Sequence, residues 1–217
     1  MTRTRIKVCG ITNPDDAAMA VAAGVDALGF IFAASSPRAV KTSQAKNIIA
    51  QLPPMVDAVG VFVNQDPVEL VEIIEYCGLT LVQLHGDESP DYCRKLAYDA
   101  TPCRIIKAFR VQPESSESDF APYRETVSAF LLDAWHPVMR GGSGERFDWQ
   151  RIASFKLGRP CVLAGGLRPD NIALAISQAK PFAVDVNSGV EDEPGRKNQS
   201  KLETLIKQAR LADAETA

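Results

Sequence analysis

Eight short apolar runs, each followed by a stretch of helical periodicity, divide this chain almost evenly from end to end. The strand-like runs are Ile6–Cys9, Ala27–Ile31, Val56–Val63, Thr80–Leu84, Arg104–Ala108, Ala129–Leu132, Cys161–Leu163 and Phe182–Val186. The helix-like segments are Asp15–Ala23, Ser43–Gln51, Pro67–Tyr76, Ser89–Tyr98, Asp119–Arg124, Asp148–Phe155, Pro169–Ala179 and Lys201–Leu211. Strict alternation of this kind implies parallel strands joined by right-handed crossovers. Eight such units in 217 residues predict an α/β fold, a minimal single-domain (β/α)8 TIM barrel. The alternative, an open doubly wound sheet of about five or six strands, would leave strand-like runs unused.

Local signals support the helix starts. Asn13-Pro14, Asp66-Pro67 and Ser89-Pro90 each place a capping side chain before a proline suited to the first helical position. The stretch Ser115–Arg124 is polar and weakly periodic, so a short or irregular helix is expected there. No linker interrupts the pattern, and residues 1–217 read as one domain. Met1–Arg5 reads as a solvated end and Ala212–Ala217 as a frayed polar tail.

Composition narrows the function classes. The net charge is −3, the isoelectric point is about 5.5, and no lysine/arginine stripe occurs, so no nucleic-acid partner is expected. No apolar run approaches the ~20 residues of a membrane helix, and no signal-like core follows the first residues, so no membrane partner is expected either. Five cysteines, odd in number and without C-x-x-C spacing, fit a reducing cytoplasm and no disulfide framework. His85 and His136 lie far apart in sequence, so no metal site is expected. Neither a Walker motif nor G-x-G-x-x-G is present, so no nucleotide cofactor is expected.

In such barrels function collects where the strands run into their loops. Side chains alternate along a strand, so Lys7 and Cys9 share one face, a cation beside a thiol. Buried packing is the ordinary fate of a free cysteine. Asp133 ends the sixth run with the parity of Leu131 and should point into the barrel mouth, where apolar walls favour a neutral carboxyl suited to a general acid; a helix cap or a loop salt bridge is the other reading. His85 shares a face with Gln83 and could orient a ligand or be a satisfied core histidine. Arg38, after Pro37, offers a planar fork suited to a carboxylate or phosphate, though surface solvation would explain it equally. Asn64, Lys107, Arg110, Asp185 and Asn187 add further polar groups at strand ends. Gly165-Gly166 and Ser188-Gly189, after the last two strands, occupy positions that commonly form a phosphate site. Gly141–Gly144 reads as a mobile lid or a plain linker.

Taken together, Lys7–Thr12, Ser36–Arg38, Val82–Gly86, Leu131–Asp133, Gly141–Gly144 with Phe147–Trp149, Ala164–Leu167, Asp185–Glu191 and Pro194–Lys197 resemble the phosphoribosylanthranilate isomerases of tryptophan biosynthesis. The resemblance runs from Lys7 to about Leu205, in order. It implies an Amadori rearrangement of N-(5-phosphoribosyl)anthranilate to the 1-deoxyribulose 5-phosphate isomer, without cofactor or metal, in a monomer or homodimer. It also implies Cys9 as general base, Asp133 as general acid, Arg38 on the anthranilate carboxylate, and His85 among the substrate contacts. Gly165, Gly166, Ser188 and Gly189 would hold the phosphate, with Asp185 near the sugar. Lys7 is expected to raise the thiolate fraction of Cys9. The chain departs from the family pattern at Asn187, where serine is commoner, and at Asn198, where aspartate is expected. Rival readings are a related phosphosugar isomerase or epimerase, a phosphosugar-binding barrel without turnover, and a flavin or nicotinamide oxidoreductase. The epimerase would need metal-binding histidines, and the histidine-pathway isomerase an aspartate at Cys9.

Overall fold

The computed structural model describes residues 3–134 and 149–215. Eight parallel strands close into a barrel: β1 (Arg5–Cys9), β2 (Ala27–Ile31), β3 (Asp57–Phe62), β4 (Leu81–Leu84), β5 (Arg104–Arg110), β6 (Ala129–Asp133), β7 (Cys161–Ala164) and β8 (Ala183–Val186), with β8 pairing back on β1. Around it run α1 (Pro14–Ala22), α2 (Thr42–Ile49), α3 (Pro67–Cys77), α4 (Pro90–Asp99), α5 (Glu117–Phe120), α6 (Trp149–Ser154), α7 (Ile172–Ala179) and α8 (Gln199–Glu215). The sequence-derived strands match within two residues at either end. The glycines 141–144 lie outside the described residues, as does the start of the sixth helical segment at Asp148.

Two apolar layers account for the alternation. Val59, Leu81, Ile106, Leu131, Val162 and Ala183 fill the barrel interior. The opposite faces of the same strands, such as Ile6, Val8, Leu28 and Phe130, pack against the helices. Each fully buried side chain of this size contributes about 1.5–3 kcal/mol. The expected caps form: Asn13 accepts from the Asp16 N–H, Asp66 from Val68 and Glu69, and Ser89 from Tyr92. The polar fifth segment resolves into α5 followed by a 3-10 turn, Ala121–Tyr123. Phe120 anchors it, edge-on to Phe109 at 5.1 Å, and Tyr123 lies edge-on to Phe109 at 5.2 Å.

The carboxyl end departs from expectation. Residues 212–215 belong to α8 rather than to a frayed tail, because Ala212 is buried and Asp213 has partners. Asp213 accepts from the Thr4 N–H at 3.0 Å and the Thr4 hydroxyl at 2.6 Å, while Arg210 donates to the Thr4 carbonyl at 2.6 Å. Thr4 is tied down by the same bonds, while Arg3 and Arg5 stay exposed as expected, Arg3 pairing with Asp26 at the surface.

Sequence periodicity also passed over a 3-10 turn, Ser188–Val190, and a small hairpin, β9 (Glu191–Glu193) with β10 (Arg196–Lys197). This segment leaves β8 and returns beside the carboxyl end of β1. Thr12 donates to the Gly195 carbonyl at 2.7 Å, and Asp16 accepts from the Lys197 backbone N–H at 2.8 Å.

Candidate active site

Parity places the chemistry. On β1, Ile6 and Val8 face the helices, so Lys7 and Cys9 face inward. Opposite Cys9 in register stands Gly29 of β2. A Cβ there would lie 2.8 Å from Cys9 Sγ and 3.1 Å from Lys7 Nζ, so the sulfur and the ammonium converge over the space that glycine leaves. Across the other edge of β1, Asp185 is in register with Lys7, and its carboxylate accepts from Lys7 Nζ at 2.8 Å, both side chains being buried.

Electrostatics here runs against the simple expectation for Cys9. Burial pushes its thiol above the ordinary value; the Lys7 and Lys197 cations pull it down, Asp185 pushes it up, and burial wins. Lys7 itself stays charged: burial lowers its pKa, but Asp185 and Cys9 more than offset this and the net shift is upward. The expected Lys7 effect is real in sign, yet its charge is shared with Asp185.

Asp133 ends β6 with inward parity. His85 lies beyond β4, its Nδ1 3.1 Å from the amide nitrogen of buried Gln83. Burial lowers the His85 pKa, against the pull of Asp133 and Asp185, so a neutral imidazole faces those carboxylates at neutral pH.

Arg38 is not simply solvated. Its Nε donates to both oxygens of Glu191 at 3.0 Å, and one terminal nitrogen donates to Oε2 at 2.6 Å. Glu191 also accepts from Lys197 Nζ at 2.7 Å, and Lys197 donates to the Cys9 carbonyl at 2.6 Å and to Asn187 Oδ1 at 3.0 Å. Glu191 and Lys197 lie within motifs that drew attention, but nothing in the sequence gave them separate roles. Their alternation with Pro194-Gly195 was the available sign of a hairpin. Asn187 thereby gains a physical account, as a partner of Lys197. Asn198 accepts from the Lys201 N–H at 2.8 Å, capping α8 as an aspartate would.

The loops after β7 and β8 meet. Gly165 and Gly166 have φ of +97° and +62°, a left-handed backbone that favours glycine. A Cβ on Gly189 would fall 1.9 Å from the Leu167 carbonyl oxygen, so these loops approach at a distance only glycine permits.

Two strand-end groups belong elsewhere. Lys107 has the opposite parity to Ile106 and Ala108, and points out of the barrel toward Glu88 at 3.0 Å. Asn64 spends its backbone N–H on Glu88 and its side-chain oxygen on the Asp87 N–H. Among the described residues, no cluster of three His, Cys, Asp or Glu side chains could hold a metal, and no helix is long and apolar enough to cross a membrane.

The family model "PRAI: N-(5'phosphoribosyl)anthranilate (PRA) isomerase" matches residues 6–208. The N-(5'-phosphoribosyl)anthranilate isomerase of Trichlorobacter lovleyi is 49% identical over 209 residues, covering 96% of this chain and 98% of its own. The corresponding protein of Geobacter sulfurreducens is 48% identical over 206 residues, covering 95% and 98%. Among solved structures, the phosphoribosyl anthranilate isomerase of Thermotoga maritima superposes with a TM-score of 0.84 at 43% identity, covering 95% of this chain and 98% of that one. A phosphoribosyl anthranilate isomerase in complex with reduced 1-(o-carboxyphenylamino)-1-deoxyribulose 5-phosphate gives a TM-score of 0.82 at 41% identity, with the same coverage.

Proposed function

The chain belongs to the N-(5'-phosphoribosyl)anthranilate isomerase family, and we propose that its barrel mouth performs the reaction with Cys9 as general base and Asp133 as general acid. The enzyme isomerises N-(5'-phosphoribosyl)anthranilate to 1-(2-carboxyphenylamino)-1-deoxyribulose 5-phosphate in tryptophan biosynthesis. The observation that carries the residue roles is convergence. A thiol, a carboxyl, an arginine fork and a glycine-lined double loop all stand at the carboxyl ends of one barrel's strands.

The chemistry follows from those groups. Asp133 donates a proton to the ribose ring oxygen as the anilino nitrogen lone pair forms C1=N⁺ and the C1–O bond breaks. The Cys9 thiolate then takes the proton from C2; the C–H pair becomes C1=C2 and neutralises the nitrogen. The resulting enaminol tautomerises to the ketone, gaining a proton at C1 and losing one from the C2 hydroxyl. Arg38 holds the anthranilate carboxylate, and Gly165, Gly166, Ser188 and Gly189 hold the phosphate through backbone N–H groups. Asp185, through Lys7, and neutral His85 line the sugar between them. The partner is thus a phosphorylated small molecule. The protein acts in the cytoplasm as a monomer or homodimer, without cofactor.

Freshly generated phosphoribosylanthranilate should lose its fluorescence much faster with this protein than in buffer. A decay equal to the blank, with the protein folded, sinks the reading and promotes a binding barrel without turnover. Gly189→Ala should part the two phosphate loops, and weaken binding of the reduced product analogue at least about tenfold, ~1.4 kcal/mol. Unchanged affinity in a calorimetric titration would remove the phosphate from this place.

A further inference from the structure

Lys197 is fully buried, and its three N–H donors meet three acceptors: Glu191 Oε1, Asn187 Oδ1 and the Cys9 carbonyl. A neutral amine has only two N–H groups, so this geometry suits the ammonium ion. Glu191, also buried, is shared between that ammonium and the Arg38 guanidinium. Glu191 takes Nε and one terminal nitrogen of Arg38, so the guanidinium is held from one side.

A guanidinium locked to a carboxylate is, as a pair, neutral. An incoming carboxylate would meet the negative charge of Glu191 nearly as closely as the positive charge of Arg38. Lys197 changes that balance: two cations around one anion leave a net single positive charge, in a place where solvent screens little. Asp16 touches only the Lys197 backbone, and it sits in the first turn of α1, where the helix terminus offsets its charge. The nearby Lys7–Asp185 pair contributes no net charge.

We propose that Lys197 is a positioning residue for the carboxylate subsite: it neutralises Glu191, so that Arg38 is held rigid by that glutamate yet keeps its charge for the substrate's aromatic carboxylate. The inference rests on Arg38 as the carboxylate-binding group. Through its bonds to the Cys9 carbonyl and Asn187, the same ammonium fixes that subsite relative to the base and to the turn after β8.

The test compares two probes by titration calorimetry: reduced 1-(2-carboxyphenylamino)-1-deoxyribulose 5-phosphate and its counterpart lacking the ring carboxylate. The ratio of their affinities reads the carboxylate subsite alone. Lys197→Met should reduce that ratio at least about tenfold, while changing affinity for the carboxylate-free probe less than about threefold. Glu191→Gln/Lys197→Met removes one charge of each sign and should return the ratio to within about threefold of wild type, a rescue that loss of packing would not give. A Lys197→Met protein that keeps the wild-type ratio, or loses both probes equally, overturns the proposal. Arg38→Met is the control for the underlying reading. If it too keeps the ratio, Arg38 is not the carboxylate site; if it abolishes the ratio while Lys197→Met does not, the Lys197 role alone fails. Should Lys197→Met not fold, the double variant decides: a retained ratio supports the charge balance, and a lost one refutes it.

Discussion

Replacing Cys9 by alanine is expected to lower kcat by about 10²–10⁴-fold, and Asp133→Asn by a similar factor, with KM little changed in either; this is the range for a positioned acid or base. The small KM effect follows from geometry, since neither side chain belongs to the arginine fork or the glycine loops that would hold the substrate's anionic ends. The pH dependence has a definite sign. In the proposed reaction Cys9 acts as thiolate, and burial pushes its pKa above the ordinary thiol value. The thiolate fraction therefore grows with pH, by up to about tenfold per unit below the Cys9 pKa, and kcat/KM of the wild type should rise with it above about pH 7 for as long as Asp133 keeps its proton. Loss of fluorescence of phosphoribosylanthranilate, followed across that range, measures all three. Cys9→Ala retaining more than about a tenth of the wild-type turnover would return Cys9 to barrel packing. Asp133→Asn with unchanged turnover would move the acid role to another group.

The barrel and most of its mouth could be read before any coordinates, because both rest on short-range signals. Short apolar runs set the strands, and Asn13, Asp66 and Ser89 set helix starts that the structure reproduces. The orientation of Lys107 was hidden for a physical reason: strands buried on both faces carry no polar side to mark parity. Lys7 and Lys107 look alike as lysines in apolar strands. Lys7 could be oriented because Cys9, two residues on, supplied a second polar group; Lys107 stands between Ile106 and Ala108 with nothing to reveal that it points outward. Contacts remote in sequence were beyond reach for a different reason. Glu191 meets Arg38 153 positions away, and Asp213 meets Thr4 209 positions away. No local propensity reports on pairings of that separation. The hairpin β9–β10 was missed because three- and two-residue strands give too few residues to show a period.

The outward lysine carries the larger stability prediction. Lys107 Nζ donates to the Gly86 carbonyl at 2.6 Å and to Glu88 at 3.0 Å, with both side chains almost wholly buried. Glu88 in turn accepts from the Asn64 N–H at 2.8 Å and the Gly86 N–H at 3.0 Å, so one carboxylate joins the ends of β3, β4 and β5. Glu88→Ala strands an ammonium in the apolar layer and leaves those N–H groups unpaired. The expected cost is about 3–5 kcal/mol, which lowers Tm by roughly 6–20 °C for a chain of this length. Glu88→Gln/Lys107→Met should recover most of that loss, because no lone charge remains buried and the amide oxygen can still accept from Asn64. Thermal melts of the single and double variants decide the matter, and a Glu88→Ala protein within about 1 kcal/mol of wild type would show that the pair stabilises nothing. Activity then separates the two lysines. At a temperature where the fold persists, Lys107→Met should leave the pH profile of kcat/KM in place. Lys7→Met should displace its rise to higher pH, since it removes the cation that opposes burial at Cys9 and leaves Asp185 unbalanced beside the sulfur.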